Sequence, residues 1–263
     1  MKKPIVFTWP PKTVAYPYVL INQKSEKEAL EYLKRYKDLI RMIIIDSGVG
    51  IFKHGKYDDY PGGPELAIHK QAIMYKEAQR ICPKAKILAT VPDYPDDYVP
   101  QRLWKSKEVT NIERTEENIL IALKKFPGIE WLIPIQGHAR RPSSILRHIA
   151  LLREDGILES KHFFAVAMLC IEPDAKIILE TIKIARKELP DKWLHVFGPK
   201  MNSLRFIRHY IDSFDSVTWP HNLWHRTDSL KEPIRSRQWF FYWLKRVHKQ
   251  LNEPKLNEEV LAE

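Results

Sequence analysis

A chain of 263 residues, 44% of them hydrophobic, can bury the core of one α/β barrel, and its two cysteines, Cys82 and Cys170, exclude a disulfide framework and a four-cysteine zinc site. The formal net charge of +10 favours a polyanionic partner, nucleic acid or an anionic membrane surface, although a basic surface also serves solubility alone. No apolar run approaches the about 18 residues of a membrane span, and MKKPIVFTWPPK has no long apolar stretch behind its lysines, so neither a span nor a signal peptide is expected and the cytoplasm is the expected compartment.

Strand-like and helix-like segments then alternate. Residues 4–8 read as a first strand, and 26–36 carry apolar positions at helical spacing. A strand over 39–46 is followed by a helix over 64–81, with Pro64 suited to a first turn. Strand 86–91, helix 113–126 and strand 129–136 come next. Helix 143–154 follows Pro142-Ser143-Ser144, whose hydroxyls suit capping. Strand 163–169, helix 174–188 behind Asp174, strand 193–198, helix 203–211 and strand 214–219 complete the alternation. Residues 235–251 (RSRQWFFYWLKRVHKQL) read as a basic, aromatic helix, either the last barrel helix with its aromatics inward or a nucleic-acid surface.

Repeated βα units imply a parallel sheet, and the length fits a single-domain (β/α)8 TIM-type barrel over residues 1–252 with a polar tail over 253–263. An open Rossmann-type sheet is the rival; the absence of a G-x-G-x-x-G after the first strand counts against it, and there is no P-loop. Two loops, residues 53–64 (KHGKYDDYPGGP) and 92–105 (PDYPDDYVPQRLWK), both follow strands. Both would overhang one face of a barrel, where long loops bind ligands.

Polar residues recur where the apolar runs end. Asp46 follows Ile43-Ile44-Ile45, Asp93 lies just past Val91, Gln136 follows Ile135, and Asp215 sits within IDSFDSVTW. Buried parallel strands read as continuous apolar runs, and barrel chemistry sits at their C-terminal ends. Four polar groups so placed describe one pocket built from distant parts of the chain.

At these residues the chain resembles the tRNA-guanine transglycosylase superfamily, α/β barrels that exchange a base in nucleic acid for a 7-deazaguanine. Asp46-Ser47-Gly48 matches the start of that family's acid/base motif, after which Val49-Gly50-Ile51-Phe52 departs from it. Phe214-Asp215-Ser216-Val217 matches the nucleophile segment, Ile135-Gln136-Gly137 the base-reading glutamine motif, and Asp93 the place of a base-reading aspartate. The likeness runs from about residue 39 to 219, with the four motifs in family order. The tRNA enzymes carry a zinc site of three cysteines and a histidine beyond the nucleophile, and no cysteine here follows Cys170. They also present a glycine-rich segment beneath the base, where this chain has residues 165–170 (AVAMLC), including Met168. These departures and the chain's compactness resemble the branch that places 7-deazaguanine into DNA.

The resemblance implies Asp215 as nucleophile and Asp46 as general acid/base, with Asp93, Gln136, Gly137, Ser47 and Met168 around the base. It implies no cofactor and no metal. The expected partners are DNA or, alternatively, tRNA, a 7-deazaguanine base such as preQ0, and a possible partner subunit. Arg140, Arg141, Lys200 and Arg205 are candidate phosphate contacts, and Tyr94, Tyr98 or Trp104 could stack on a flipped base. Each has a plainer reading. Asp46 and Asp93 also suit turns, Gln136 a loop backbone, and Asp215 a strand-end ion pair. Asp96 and Asp97 read as a solvated turn, His221 and His225 as an unlikely half of a metal site, and Cys170 as a small buried hydrophobe. A non-catalytic nucleic-acid-binding barrel and a barrel glycosidase acting on sugars are the remaining alternatives.

Overall fold

The structure, a computed structural model, describes residues 3–11, 13–52, 57–96, 110–216 and 233–252. Eight parallel strands form one sheet: β1 (Ile5–Phe7), β2 (Tyr18–Ile21), β3 (Met42–Ile45), β4 (Lys86–Thr90), β5 (Trp131–Ile135), β6 (Phe163–Val166), β7 (Trp193–Val196) and β8 (Ser213–Asp215). They run in the order β1-β8-β7-β6-β5-β4-β3-β2. A parallel bridge between Thr8 and Val19 joins the two ends, with the Leu20 N–H donating to the Thr8 carbonyl at 2.9 Å. The chain is therefore a closed (β/α)8 TIM-type barrel, and the open-sheet rival is excluded.

Helices surround the strands: α1 (Glu26–Tyr36), α2 (Pro64–Ile81), α3 (Asn111–Lys125), α4 (Ile145–Glu154), α5 (Ile157–Ser160), α6 (Ala175–Glu188), α7 (Leu204–Ile207) and α8 (Pro233–Asn252). Local chemistry sets several starts. Thr110 accepts from the Glu113 N–H while the Glu113 carboxylate accepts from the Thr110 N–H, a capping box at α3. Asp174 caps α6 through the Lys176 N–H. The serines before α4 behave otherwise than expected. Ser144 Oγ accepts from the His138 N–H and donates to the Arg141 carbonyl, so it ties the loop after β5 and leaves α4 without a side-chain cap.

Two sequence expectations are corrected. Seven strands were read where eight exist: β2 is four residues between Pro17 and Asn22, too short a run to announce itself. Among the described residues no helix joins β1 to β2. The helix expected over 203–211 contracts to the single turn of α7, and α5 follows α4 after a break at Gly156, whose φ is +68°. Residues 217–219 of the last expected strand and the tail 253–263 lie outside the described residues. No described helix is long and apolar enough to cross a membrane.

Strand alternation divides the side chains between two cores. Phe7, Leu20, Met42, Ile44, Leu88, Leu132, Ala165, Ala167 and Phe197 pack together inside the barrel. Their neighbours Val19, Ile43, Ile45, Ile87, Ile133, Phe164 and Val196 face the helices in the larger core. On α8, Phe240, Trp243, Val247 and Leu251 are buried, while Phe241 and Tyr242 are exposed. Two of its aromatics are therefore core, two are exposed and Trp239 lies between, so the core-packing reading holds in part.

Candidate active site

The inward parity carries the polar residues to one end of the barrel. Asp46 stands two residues beyond Ile44, and Asp215 two beyond Ser213, so both continue inward-facing rows past the last apolar layer. A cavity of about 390 Å³ opens there, lined by Asp46, Ser47, Asp93 and Asp215 with Leu20, Phe197, Gly198 and Lys200 among the rest. That volume falls in the range of about 300–1,000 Å³ usual for small-ligand sites.

Asp46 is set by its neighbours on both sides. Its N–H donates to the Ile21 carbonyl at 2.7 Å, extending the β2–β3 ladder by one residue. Behind it, Gln71 of α2, wholly buried, donates Nε2–H to the carbonyls of Asp46 (2.9 Å) and Thr90 (3.0 Å), stapling the ends of β3 and β4. Burial pushes the Asp46 carboxyl up to about 6, and the negative charge of Asp215 adds to the rise. Hydrogen bonds from the Gly48 and Ser47 amides pull the other way without cancelling it. A carboxyl held toward its protonated form beside a second carboxylate is a recognised arrangement for acid/base work.

Asp215 is buried at the end of β8. The Gly198 N–H donates to its Oδ1 at 2.8 Å, and His195 Nε2 lies 3.4 Å from the same oxygen. Gly198 has φ +56°, and a Cβ there would stand 3.2 Å from Cys170 Sγ and 3.3 Å from Cys170 Cα. Only glycine brings this amide to Asp215 without strain.

Asp93 is 2% exposed and is held by Ser47, Gln136 and Tyr60. Ser47 Oγ–H donates to Oδ1 at 2.6 Å, and Gln136 Nε2–H donates to Oδ2 at 2.5 Å. Tyr60 Oη accepts from the Asp93 N–H (3.1 Å) and donates to the Asp93 carbonyl (2.9 Å). Tyr60 comes from the loop of residues 53–64, whose described part thus braces the site.

Gln136 is fully buried and sits behind Asp93, outside the cavity lining. Its N–H donates to His148 Nδ1 at 2.8 Å, and His148 Nε2 faces Glu116 Oε2 at 2.9 Å, so a buried pair on α4 and α3 fixes the glutamine. Its Oε1 is buried without a hydrogen-bond partner among the described residues. Gly137 and Met168 lie deeper still. A Cβ on Gly137 would come within 2.7 Å of Met168 Sδ and of Ser144 Oγ, and 2.9 Å of Ile145 Cγ2. Gly137→Ala is therefore expected to cost about 1–3 kcal/mol by overpacking, read as a lowered midpoint in urea unfolding.

Of the residues expected at the site, Asp46, Ser47, Asp93 and Asp215 are brought together around the cavity; Gln136, Gly137 and Met168 form the layer behind it. Lys200 lines the cavity, its Nζ donating to the Cys170 carbonyl at 3.0 Å. Arg140 and Arg141 are exposed on the loop after β5, Arg140 with φ +60°. Arg205 lies away from the cavity, 4.8 Å from the Phe206 ring. Tyr94 does not offer a stacking surface. It is buried with Arg114 3.3 Å over its ring, and its hydroxyl donates to Asp59 at 2.5 Å. Asp96 is no solvated turn either, since it accepts from Asn111 Nδ2 and the Ala139 N–H. Cys170 is half-buried and lines the cavity. Tyr98, Trp104, Asp97, Val217, His221 and His225 lie outside the described residues.

Sequence reading missed Gly198, His195, Tyr60, Gln71 and Lys200's place in the cavity wall. Gly198 and His195 carried a signal: WLHVFG ends an apolar run in glycine, and period two sets His195 on the inward row with Phe197. Tyr60 and Gln71 carried none, because their contacts cross 33 and 25 residues of chain.

No family model matches this chain, and no curated protein matches it. Among solved structures it is similar to the carboxyl transferase domain of Rhizobium etli pyruvate carboxylase, determined with pyruvate, at 8% identity and a TM-score of 0.36. The match covers 97% of this chain and 50% of that one, so the chain spans half the length of that neighbour.

Proposed function

We propose that this protein is a base-exchange transglycosylase that replaces guanine in DNA with a 7-deazaguanine of the preQ0 type. The observation that carries the reading is the pair Asp46 and Asp215, on one cavity wall, with Asp46 shifted toward the protonated form by burial and by Asp215. Glycosidic exchange with retention needs that division of labour. An Asp215 oxygen attacks the sugar C1′, the bond from C1′ to the base breaks, and the bonding electron pair leaves with guanine as Asp46 supplies a proton. In the second half Asp46 accepts a proton from the incoming deazapurine, whose nitrogen attacks C1′ and releases the Asp215 carboxylate. Both aspartates return to their starting states.

Asp93 suits the base edge. Its carboxylate, oriented by Ser47 and Gln136, can accept from the N1–H and 2-amino group of a guanine-like base. Gln136, held at its backbone N–H by His148, points Nε2 at Asp93. A target base must leave the duplex to reach the cavity. The net charge of +10, with Arg140 and Arg141 exposed beyond β5, suits a polyanion.

The test is base exchange by the purified protein on duplex DNA, single-stranded DNA and tRNA carrying radiolabelled guanine, each with preQ0. Release of label from DNA is expected. Release from tRNA alone would transfer the activity to tRNA, and no release in the presence of salt-sensitive binding would favour a non-catalytic barrel or a missing partner subunit. If the exposed arginines contact phosphate, Arg140→Ala with Arg141→Ala reduces the slope of log K against log salt by about 2. Titration of labelled DNA at several salt concentrations reads that change, and an unaltered slope removes these residues from the interface.

A further inference from the structure

Below the cavity, the barrel interior carries a polar file between β7 and β8. Trp193 and His195 of β7 and Ser213 of β8 all belong to inward rows, and His195 and Ser213 are fully buried. His195 is packed edge-on against Phe7 and Phe197, with ring centroids 5.8 and 4.6 Å away. Polar groups in such a layer are costly unless they are satisfied or used.

Trp193 Nε1–H can only donate, and it does so to Ser213 Oγ at 3.0 Å. Ser213 Oγ lies 2.8 Å from His195 Nδ1. When the serine donates its one proton to Nδ1, the imidazole proton stands on Nε2, facing Asp215. The opposite tautomer would set the bare lone pair of Nε2 toward a carboxylate. Nε2 makes no hydrogen bond to any described residue, and Asp215 Oδ1 stands 3.4 Å away. The Gly198 N–H already holds that oxygen at 2.8 Å, whereas no described hydrogen bond reaches Oδ2.

We propose that His195 is a positioning residue for Asp215: with Gly198 it secures Oδ1, so that Oδ2 is the oxygen presented to the sugar. This rests on the transglycosylase reading above. Contacts of this kind are often long before substrate binds and shorten in the reacting complex. When Oδ2 bonds C1′, Oδ1 becomes the carbonyl oxygen of an ester. When the incoming base displaces Asp215, the C1′–Oδ2 bond breaks and the pair returns to the carboxylate, and the Nε2–H meets the returning charge. The histidine gives up no proton in either half.

The test compares the wild-type protein with His195→Phe, which keeps a ring but no donor, and His195→Gln, whose amide places an N–H near the position of Nε2. Thermal unfolding of each variant is followed alongside kinetics, and the tautomer of the wild-type imidazole is read by 15N NMR. The expected result is an Nε2–H tautomer, kcat lowered about 10- to 100-fold in His195→Phe with KM for the base unchanged, and recovery of most of that loss in His195→Gln. An Nδ1–H tautomer overturns the proposal whether or not the protein exchanges bases. So does a His195→Phe variant with wild-type kcat, or equal losses in both variants. Absence of exchange in the wild-type protein together with an Nε2–H tautomer overturns the transglycosylase reading and leaves the orientation of Asp215 by His195 standing.

Discussion

If the protein is the transglycosylase proposed above, Asp215→Asn is expected to abolish base exchange, lowering kcat by about 10⁴-fold or more, as for removal of a covalent nucleophile. The amide cannot supply the electron pair that a carboxylate uses on C1′. It does keep a carbonyl oxygen for the Gly198 N–H, so the loop after β7 stays in place and folding is conserved. Nucleic-acid binding is expected to stay within about twofold of wild type, because exposed basic side chains supply most of that affinity. A denaturing gel of enzyme mixed with labelled DNA gives the direct readout. The covalent band of the wild type is absent in the variant, while a native gel still shows the complex. Persistence of both the covalent band and guanine release in Asp215→Asn would sink the assignment.

Asp46→Asn is expected to lose about 10²- to 10⁴-fold in activity, the usual range for a general acid/base, while gaining stability at neutral pH. The sign follows from linkage. The native carboxyl titrates at about 6, against 3.8 as its ordinary value, chiefly through burial and secondly through Asp215. Between those two values the native state holds the proton more tightly than the unfolded chain. The stability Asp46 contributes is fully present below its unfolded value and is lost as pH rises through 6. Above that pH an ionised Asp46 costs about 1–2 kcal/mol, discounted from the full linkage value because the side chain is partly open to the cavity. Removing the charge recovers this, so the melting temperature of Asp46→Asn exceeds that of the wild type at pH 8, and the two converge at pH 4. A variant less stable than wild type at both pH values would show that its hydrogen bonds to the Ser47 and Gly48 amides outweigh the charge penalty.

The same titration governs the rate. In the proposed reaction protonated Asp46 releases guanine, so single-turnover release is expected to decline above pH 6, about tenfold per unit. The ionised form is needed to accept the proton of the incoming base. The apparent value measured in such a profile belongs to the Asp46–Asp215 pair and not to one residue.

Much of this site was legible in the sequence because parallel strands impose a simple rule. An apolar run reports a buried strand, and the polar residue that ends it reports the catalytic face. Asp46 and Asp215 obey it directly, and Asp93 comes two residues past its run. The rule says nothing about depth. Gln136 ends its strand as Asp46 does, yet it stands behind Asp93, fixed by His148 and Glu116 from two helices. Tyr94 follows Asp93 in a loop rich in proline and aspartate and still folds inward beneath Arg114. Composition alone made it a surface residue.

Periodicity, run length and turn residues by themselves determined most of the alternating elements, the barrel class and the three carboxylates around the cavity, because these depend on interactions within a few residues or on strand parity. Closure through Thr8 and Val19, the eighth strand, the Gln71 staple and the Tyr60 brace were decided only by tertiary structure. So were the rise of Asp46 to about 6 and the file from Trp193 to Asp215. Desolvation and hydrogen bonding between strands distant in sequence have no local signature: they exist only once β3, β7 and β8 close around one cavity.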